Sequence, residues 1–293
     1  MFRPLLLLAV AAAPLTACGD TFVDPFLRDS SALSVYGVLE AGYANEPSMD
    51  QTVRVQSVRT RAEPPTDPSD PTLAYRATVT SLDTFTGDSL QWTRNRTQFS
   101  DGTYGDLFSA DFRPRPGGTY TLIIRRDDGR EAIVDVTLPQ RPEPTVLDWE
   151  LRGLRRQVTE RVAWETLNLD DASALVEMEC GRNCGADIRF EDLEIEDLGD
   201  GRFAAGINLT EAQRLGCIEN SPPEPVPCPP LTLTRVSVEA RVLGPEWERA
   251  QDPTQTTVQN GYGFVGGATR VRIDYLPTRE AAVAAGFEGT VGG

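Results

Sequence analysis

The chain has 293 residues and a formal charge of −16, its basic residues are all arginine, and it contains no histidine. The missing histidine excludes a Ser-His-Asp or Cys-His triad and any histidine-bearing zinc site, and the missing lysine excludes Schiff-base and phosphate-loop lysine chemistry. The acid excess, larger beyond residue 140, repels nucleic acid and anionic headgroups, so no nucleic-acid partner is expected.

The first element is a leader. Arg3 gives it a positive start, residues 5–13 are an apolar run, and Leu15-Thr16-Ala17-Cys18 follows. Two small residues before a cysteine suit a peptidase groove, and only cysteine can take a thioether-linked lipid. The reading is a signal peptide over 1–17 with Cys18 lipidated, and 18–32 as a tether. The apolar run is too short for a transmembrane helix. With no basic patch, attachment to the membrane rests on acyl chains, each buried methylene contributing roughly 0.8 kcal/mol.

Strand signals begin next. Residues 34–39 and 52–58 are β-branched and partly alternating, and 63–71 is a proline- and aspartate-rich loop. Further strands are expected at 75–81, 89–93 and 103–109. Residues 118–138 form a hairpin turning at Asp128-Gly129, a pair suited to a type I′ turn, with Tyr120, Leu122 and Ile124 sharing a face opposite Ile133 or its neighbours. Seven short strands without a helix predict an immunoglobulin- or fibronectin-III-like β-sandwich over 33–139.

Pro139, Pro142 and Pro144 mark a boundary. Beyond it, strands are expected at 146–151, 161–166, 174–179, 187–198, 202–209, 231–243 and 269–275. A helix at 210–216 has Thr210 near its N-cap and Gly216 as its stop, and a helical turn spans 244–250. These elements predict a second β-rich sandwich-like domain over 145–277 and a tail over 278–293, an all-β chain overall. No internal repeat is visible.

Besides Cys18, four cysteines remain: Cys180, Cys184, Cys217 and Cys228. An even count in an exported chain reads as two disulfides with three possible pairings, of which the local one, Cys180 with Cys184 and Cys217 with Cys228, is favoured. The alternative is a four-cysteine zinc site, but ten residues separate the second pair where two to four are usual.

Three stretches carry a resemblance: residues 34–42 (SVYGVLEAG), residues 112–124 (FRPRPGGTYTLII) with the closing Leu138-Pro139, and residues 236–264 from VSVEARV through Trp247 to NGYGF. In these the chain resembles a family of outer-membrane lipoproteins found beside TonB-dependent receptors and defined as a domain of unknown function. It departs from that pattern in its four-cysteine insertion and in Trp247, where a tyrosine is expected. The resemblance implies an outer-membrane, uptake-associated role and brings over no catalytic residue.

Two candidate sites stand out. The densest acid cluster includes Glu194, Glu196, Asp197 and Asp200, which could offer carboxylates to Ca²⁺, though strand alternation alone would place Glu194 and Glu196 on a wet face. Residues 260–267 (NGYGFVGG) read as a backbone that bends or makes a close approach to a neighbouring strand, or alternatively as an aromatic platform bearing Tyr262 and Phe264. Trp92, Trp149, Trp164 and Trp247 are read as core anchors. No cofactor is expected. The functional expectation is a lipid-anchored, non-catalytic binding component of a TonB-dependent uptake system, facing the periplasm or the cell surface, whose partner is the transporter or its ligand. Contacts would come from 63–71, 101–106 or 262–264. An adhesion module and a hydrolase using carboxylates alone are the alternatives.

Overall fold

The computed structural model describes residues 33–43, 46, 48–57, 67, 69, 76–100, 102, 104–166, 168–181, 184–220, 228–250 and 255–291. The proposed leader, Cys18 and the tether lie outside these residues.

Alternation builds the first sandwich. In β1 (Leu33–Ala41), Leu33, Val35, Leu39 and Ala41 point inward while Tyr36 is exposed, the pattern of a strand with one wet face. Then come β2 (Met49–Ser57), β3 (Ala77–Asp83), β4 (Ser89–Gln91), β5 (Thr93–Gln98), β6 (Tyr104–Phe112), β7 (Thr119–Arg126) and β8 (Glu131–Thr137). One sheet runs β1-β2-β6-β5 and the other β4-β3-β7-β8, with antiparallel neighbours throughout. Lettered in chain order with an added C′ strand, these are A-B-E-D against C′-C-F-G, the immunoglobulin-type arrangement. Both sheets contribute to one core, including Val35, Leu39, Val53, Phe108, Leu122, Ile124 and Val134. Near the start of β7, the Tyr120 hydroxyl accepts a hydrogen bond from the Arg115 amide at 2.8 Å, a tyrosine corner at the E–F connection.

The second half repeats the same strand order. Its elements are β9 (Thr145–Arg152), β10 (Gln157–Glu165), β11 (Leu169–Glu179), β12 (Gly185–Phe190), β13 (Ile195–Gly199), β14 (Arg202–Asn208), α1 (Leu209–Asn220), β15 (Thr232–Leu243), α2 (Trp247–Ala250), β16 (Val258–Gln259), β17 (Gly261–Tyr275), α3 (Arg279–Ala285) and β18 (Gly289–Thr290). Strands β9-β10-β14-β13 form A-B-E-D, and β12-β11-β15 with the end of β17 form C′-C-F-G. The chain is therefore all-β, with two immunoglobulin-like sandwiches. The repeat is invisible in the sequence because topology is set by which strands pair, while the side chains and connections that fill the two halves differ.

The F–G connection of the second sandwich leaves it and completes the first. β16 pairs with β8, and the first nine residues of β17 run parallel to β1, from Leu33 opposite Gly261 to Ala41 opposite Thr269. Residues from Ala268 to Tyr275 then pair antiparallel with β15. Val258 and Val265 thus enter the first core, and one sheet from each sandwich fuses into a single sheet of nine strands.

Several local expectations are corrected. At Asp128-Gly129 only Gly129 has positive φ (86°), and Gly129 N donates to Arg126 O while Arg126 N donates to Arg130 O. That is a three-residue loop with a left-handed glycine, not a type I′ turn. The expected shared face holds: the hairpin register sets Tyr120, Leu122 and Ile124 opposite Val136, Val134 and Ala132, the last two being the neighbours of Ile133. Helix α1 runs through Gly216, where a Cβ would strike the Met178 sulfur on β11; glycine there permits close packing and does not stop the helix. Asn208 Oδ1 accepts from Glu211 N at 2.9 Å and caps the helix, while the Thr210 hydroxyl instead accepts from Val158 N. The expected strand over 187–198 is split by residues 191–194, with Asp192 at φ 54°. The segment 278–293, read as a tail, holds α3 and β18. Thr278 caps α3, and Ala281, Ala282, Ala285 and Phe287 pack into the second core.

Candidate binding site

Both cysteine pairs are bridged locally, each with Cα atoms 5.1 Å apart. Cys180–Cys184 closes the turn between β11 and β12, and Cys217–Cys228 ties the end of α1 to the approach to β15. These bridges leave no thiolate for zinc.

The acid cluster does not assemble an ion site. Among the described residues no group of three or more acids or cysteines is placed to hold a metal. Glu196 is engaged by Arg152 at 2.7 Å and Arg161 at 3.3 Å, and the Arg152 hydrogen bond holds its carboxyl below the usual range. Asp197 accepts from Gly199 N at 2.8 Å within its own turn, and Asp200 occupies a left-handed turn position. Leu193 and Ile195 pack against the second core, and Glu194 stands exposed. The acids thus serve arginine pairing and a turn.

Residues 260–267 make a close backbone approach. A Cβ on Gly263, at φ 111°, would strike the Val35 carbonyl, and one on Gly267 would strike the Thr137 carbonyl. This puts 262–264 in a strand rather than the expected contact loop. Of the other two expected loops, 63–71 lies outside the described residues except Asp67 and Ser69, as do Asp101 and Thr103. Trp92 and Trp164 are core anchors and Trp149 packs partly against the second core. Trp247 sits at the junction, its indole N–H donating to Gly267 O at 2.9 Å and its ring edge-on to Phe264 at 4.8 Å.

The site that emerges lies on the wet face of the first sandwich, where β17 adjoins β1. Because Val53 is buried, its neighbours Thr52 and Arg54, and Asp50 beyond them, project outward from β2. Register sets Phe264, Tyr36, Arg54 and Leu107 in one row across four strands. Beside Tyr36 is a cleft of about 340 Å³ that also reaches Asp50, Thr52 and Met49. At its end β1 and β2 separate, and the buried Gln51 side chain continues the ladder by bonding both the N–H and the carbonyl of Glu40. The Glu40 carboxylate is held by Arg270 at 2.9 Å and Arg241 at 3.2 Å, so arginines of the second sandwich neutralise it, and the Glu40 hydrogen bond raises the Arg270 guanidinium. Arg54 stacks on Phe99 at 3.7 Å. Asp50 and Asp111 stand opposite each other in register, both exposed and with no ion pair among the described residues.

A second cavity, about 380 Å³, lies between β8 and β16. There Glu246, nine-tenths buried, accepts from Thr137 N at 2.7 Å and pins the excursion to the edge of the first sandwich.

The sequence reading passed over Tyr36, Asp50 and Arg54. The signal was present in the alternation, since an aromatic residue directly after the inward Val35 must face out.

No family model and no curated protein matches the chain. Among solved structures it is similar to bovine butyrophilin, at 9% identity over 83% of this chain and 98% of that one, with a TM-score of 0.21. It is also similar to the titin domains Z1Z2 in complex with telethonin, at 12% identity over 84% and 95%, with a TM-score of 0.18. Likeness at these TM-scores carries no argument, and the immunoglobulin-like assignment rests on strand order and the tyrosine corner.

Proposed function

We propose that this protein is a lipid-anchored component of a Gram-negative outer membrane that binds a partner without catalysing a reaction, as an accessory to a TonB-dependent transporter. The observation that carries the binding half is the composite face, on which β17 of the second sandwich sets Phe264, backed by Trp247 of α2, beside Tyr36 and Arg54 of the first. A rigid scaffold presenting side chains from two units is suited to recognition. The address rests on Leu15-Thr16-Ala17-Cys18 and the transporter on the family resemblance. A rigid spacer or adhesion module is the second reading, favoured by the strand shared between the sandwiches.

The test is an affinity pull-down from detergent-solubilised outer membrane, with Cys18→Ser in parallel. The expected result is recovery of a TonB-dependent transporter with the native protein and loss of membrane fractionation in the variant. A Ser variant that still takes up labelled lipid would refute the anchor. Hydrolase activity that disappears in folded Glu194→Gln or Asp197→Asn, with no transporter recovered, would establish an enzyme instead.

A further inference from the structure

We propose that the cleft beside Tyr36 is a saccharide-binding site, taking a neutral oligosaccharide that stacks on the Tyr36 ring and is hydrogen-bonded by Asp50, Thr52 and Arg54. The inference rests on the binding reading above and names its ligand class.

The ring comes first. Tyr36 is 47% exposed, and its hydroxyl has no partner among the described residues. An aromatic residue left in water on a flat sheet face offers an apolar surface with a polar tip, which matches a sugar ring with its apolar C–H face and hydroxyl rim. Its neighbour in register, Phe264, is wedged against Trp247, so the aromatic base is fixed before any ligand arrives.

The polar groups follow from strand geometry. Alternate residues along β2 project on one side at intervals of roughly 6.8 Å, so Asp50, Thr52 and Arg54 form a line about 14 Å long. A carboxylate accepts two hydrogen bonds, a guanidinium donates in a planar fork, and a hydroxyl does both, so together they can read adjacent sugar hydroxyls. Stacking on Phe99 fixes the Arg54 plane. The charges are mixed: Asp50 and Asp111 oppose an anion, Arg54 opposes a cation, and Glu40 is already neutralised by Arg241 and Arg270. A neutral, hydroxyl-rich ligand fits this lining, and a cleft of about 340 Å³ lies in the size range of small-molecule sites.

The opposed aspartates add an independent indication. Like charges directly across an antiparallel pair destabilise a sheet. Asp50 and Asp111 are placed so, and among the described residues no arginine forms an ion pair with either. Folding gains nothing from the pair, whereas two acceptors side by side serve a ligand rich in hydroxyl donors.

The experiment is titration calorimetry of the full chain with maltohexaose, cellohexaose, xylohexaose, mannohexaose and laminarihexaose. At least one should bind with unit stoichiometry. Tyr36→Ala should weaken it about tenfold or more, Tyr36→Phe should retain it, and Asp50→Ala and Arg54→Ala should each weaken it, with melting temperatures unchanged for the Tyr36 variants. Binding by none of the five, or binding that Tyr36→Ala leaves intact, overturns the site. If no hexasaccharide binds but the pull-down still recovers a transporter, only the saccharide inference falls; if neither is found, the binding reading falls with it.

Discussion

At the scale of single residues, Glu160 carries a carboxyl into the second core. It is 2% exposed, its Oε2 has no hydrogen-bond partner among the described residues, and the Tyr275 hydroxyl does not reach bonding geometry either. Burial raises its pKa above the ordinary carboxylate value. A carboxyl raised in the folded state holds its proton there while the unfolded chain releases it, so its contribution is intact at low pH and is lost as pH rises through the unfolded and then the folded value. Glu160→Gln, which mimics the neutral acid, should therefore gain on the native protein as pH rises. The check is the difference in unfolding free energy by urea titration at pH 4 and pH 8, with each unit of raised pKa worth about 1.4 kcal/mol. A constant difference across that range would show that Glu160 is not titrating in the core. Nothing in the sequence announced this residue, because Glu160 follows Thr159 in a run that reads equally well with its carboxylate in water.

At the scale of elements, β17 separates what the sequence discloses from what it hides. Its second half, residues 269–275, alternates and is legible as a strand, while its first half is rich in glycine and reads as a bend, as a close approach to a strand the sequence does not name, or as a platform. The reason for those glycines lies on a partner 228 positions earlier, since Gly261 and Gly263 face the backbone of Leu33 and Val35. No local pattern encodes that distance. Gly267 is a second tight point of the junction, where a Cβ would strike the Thr137 carbonyl and lie 3.1 Å from the Leu138 Cα. Neither neighbour is a side chain that could swing away. Gly267→Ala should accordingly cost roughly 1–3 kcal/mol by overpacking, read as a lowered denaturation midpoint at unchanged slope. By contrast, the local cysteine pairing was readable because each pair lies within one connection, and the core strands were readable because their apolar residues recur every second position.

At the scale of the whole molecule, the two sandwiches share a strand and cannot be separated cleanly at Pro139–Pro144. The composite face by Tyr36 was illegible for that reason: half of it arrives from the other sandwich. A fragment of residues 33–139 would expose the β1 edge that β17 covers and lose Val258 and Val265 from its core. An uncovered edge is a template for pairing with another chain. Size-exclusion chromatography should find this fragment self-associated at concentrations where the full chain elutes as a single discrete species, and a well-folded monomeric fragment would show that β17 is dispensable. The shared strand also imposes an order in time. β1 emerges early from the ribosome, yet its partner from Gly261 to Thr269 is made more than two hundred residues later, an interval of roughly ten to fifty seconds at ordinary elongation rates. The first sandwich is thus begun at the start of synthesis and finished at its end, so a chain interrupted anywhere before residue 269 carries an open sheet edge as the visible mark of its incompleteness.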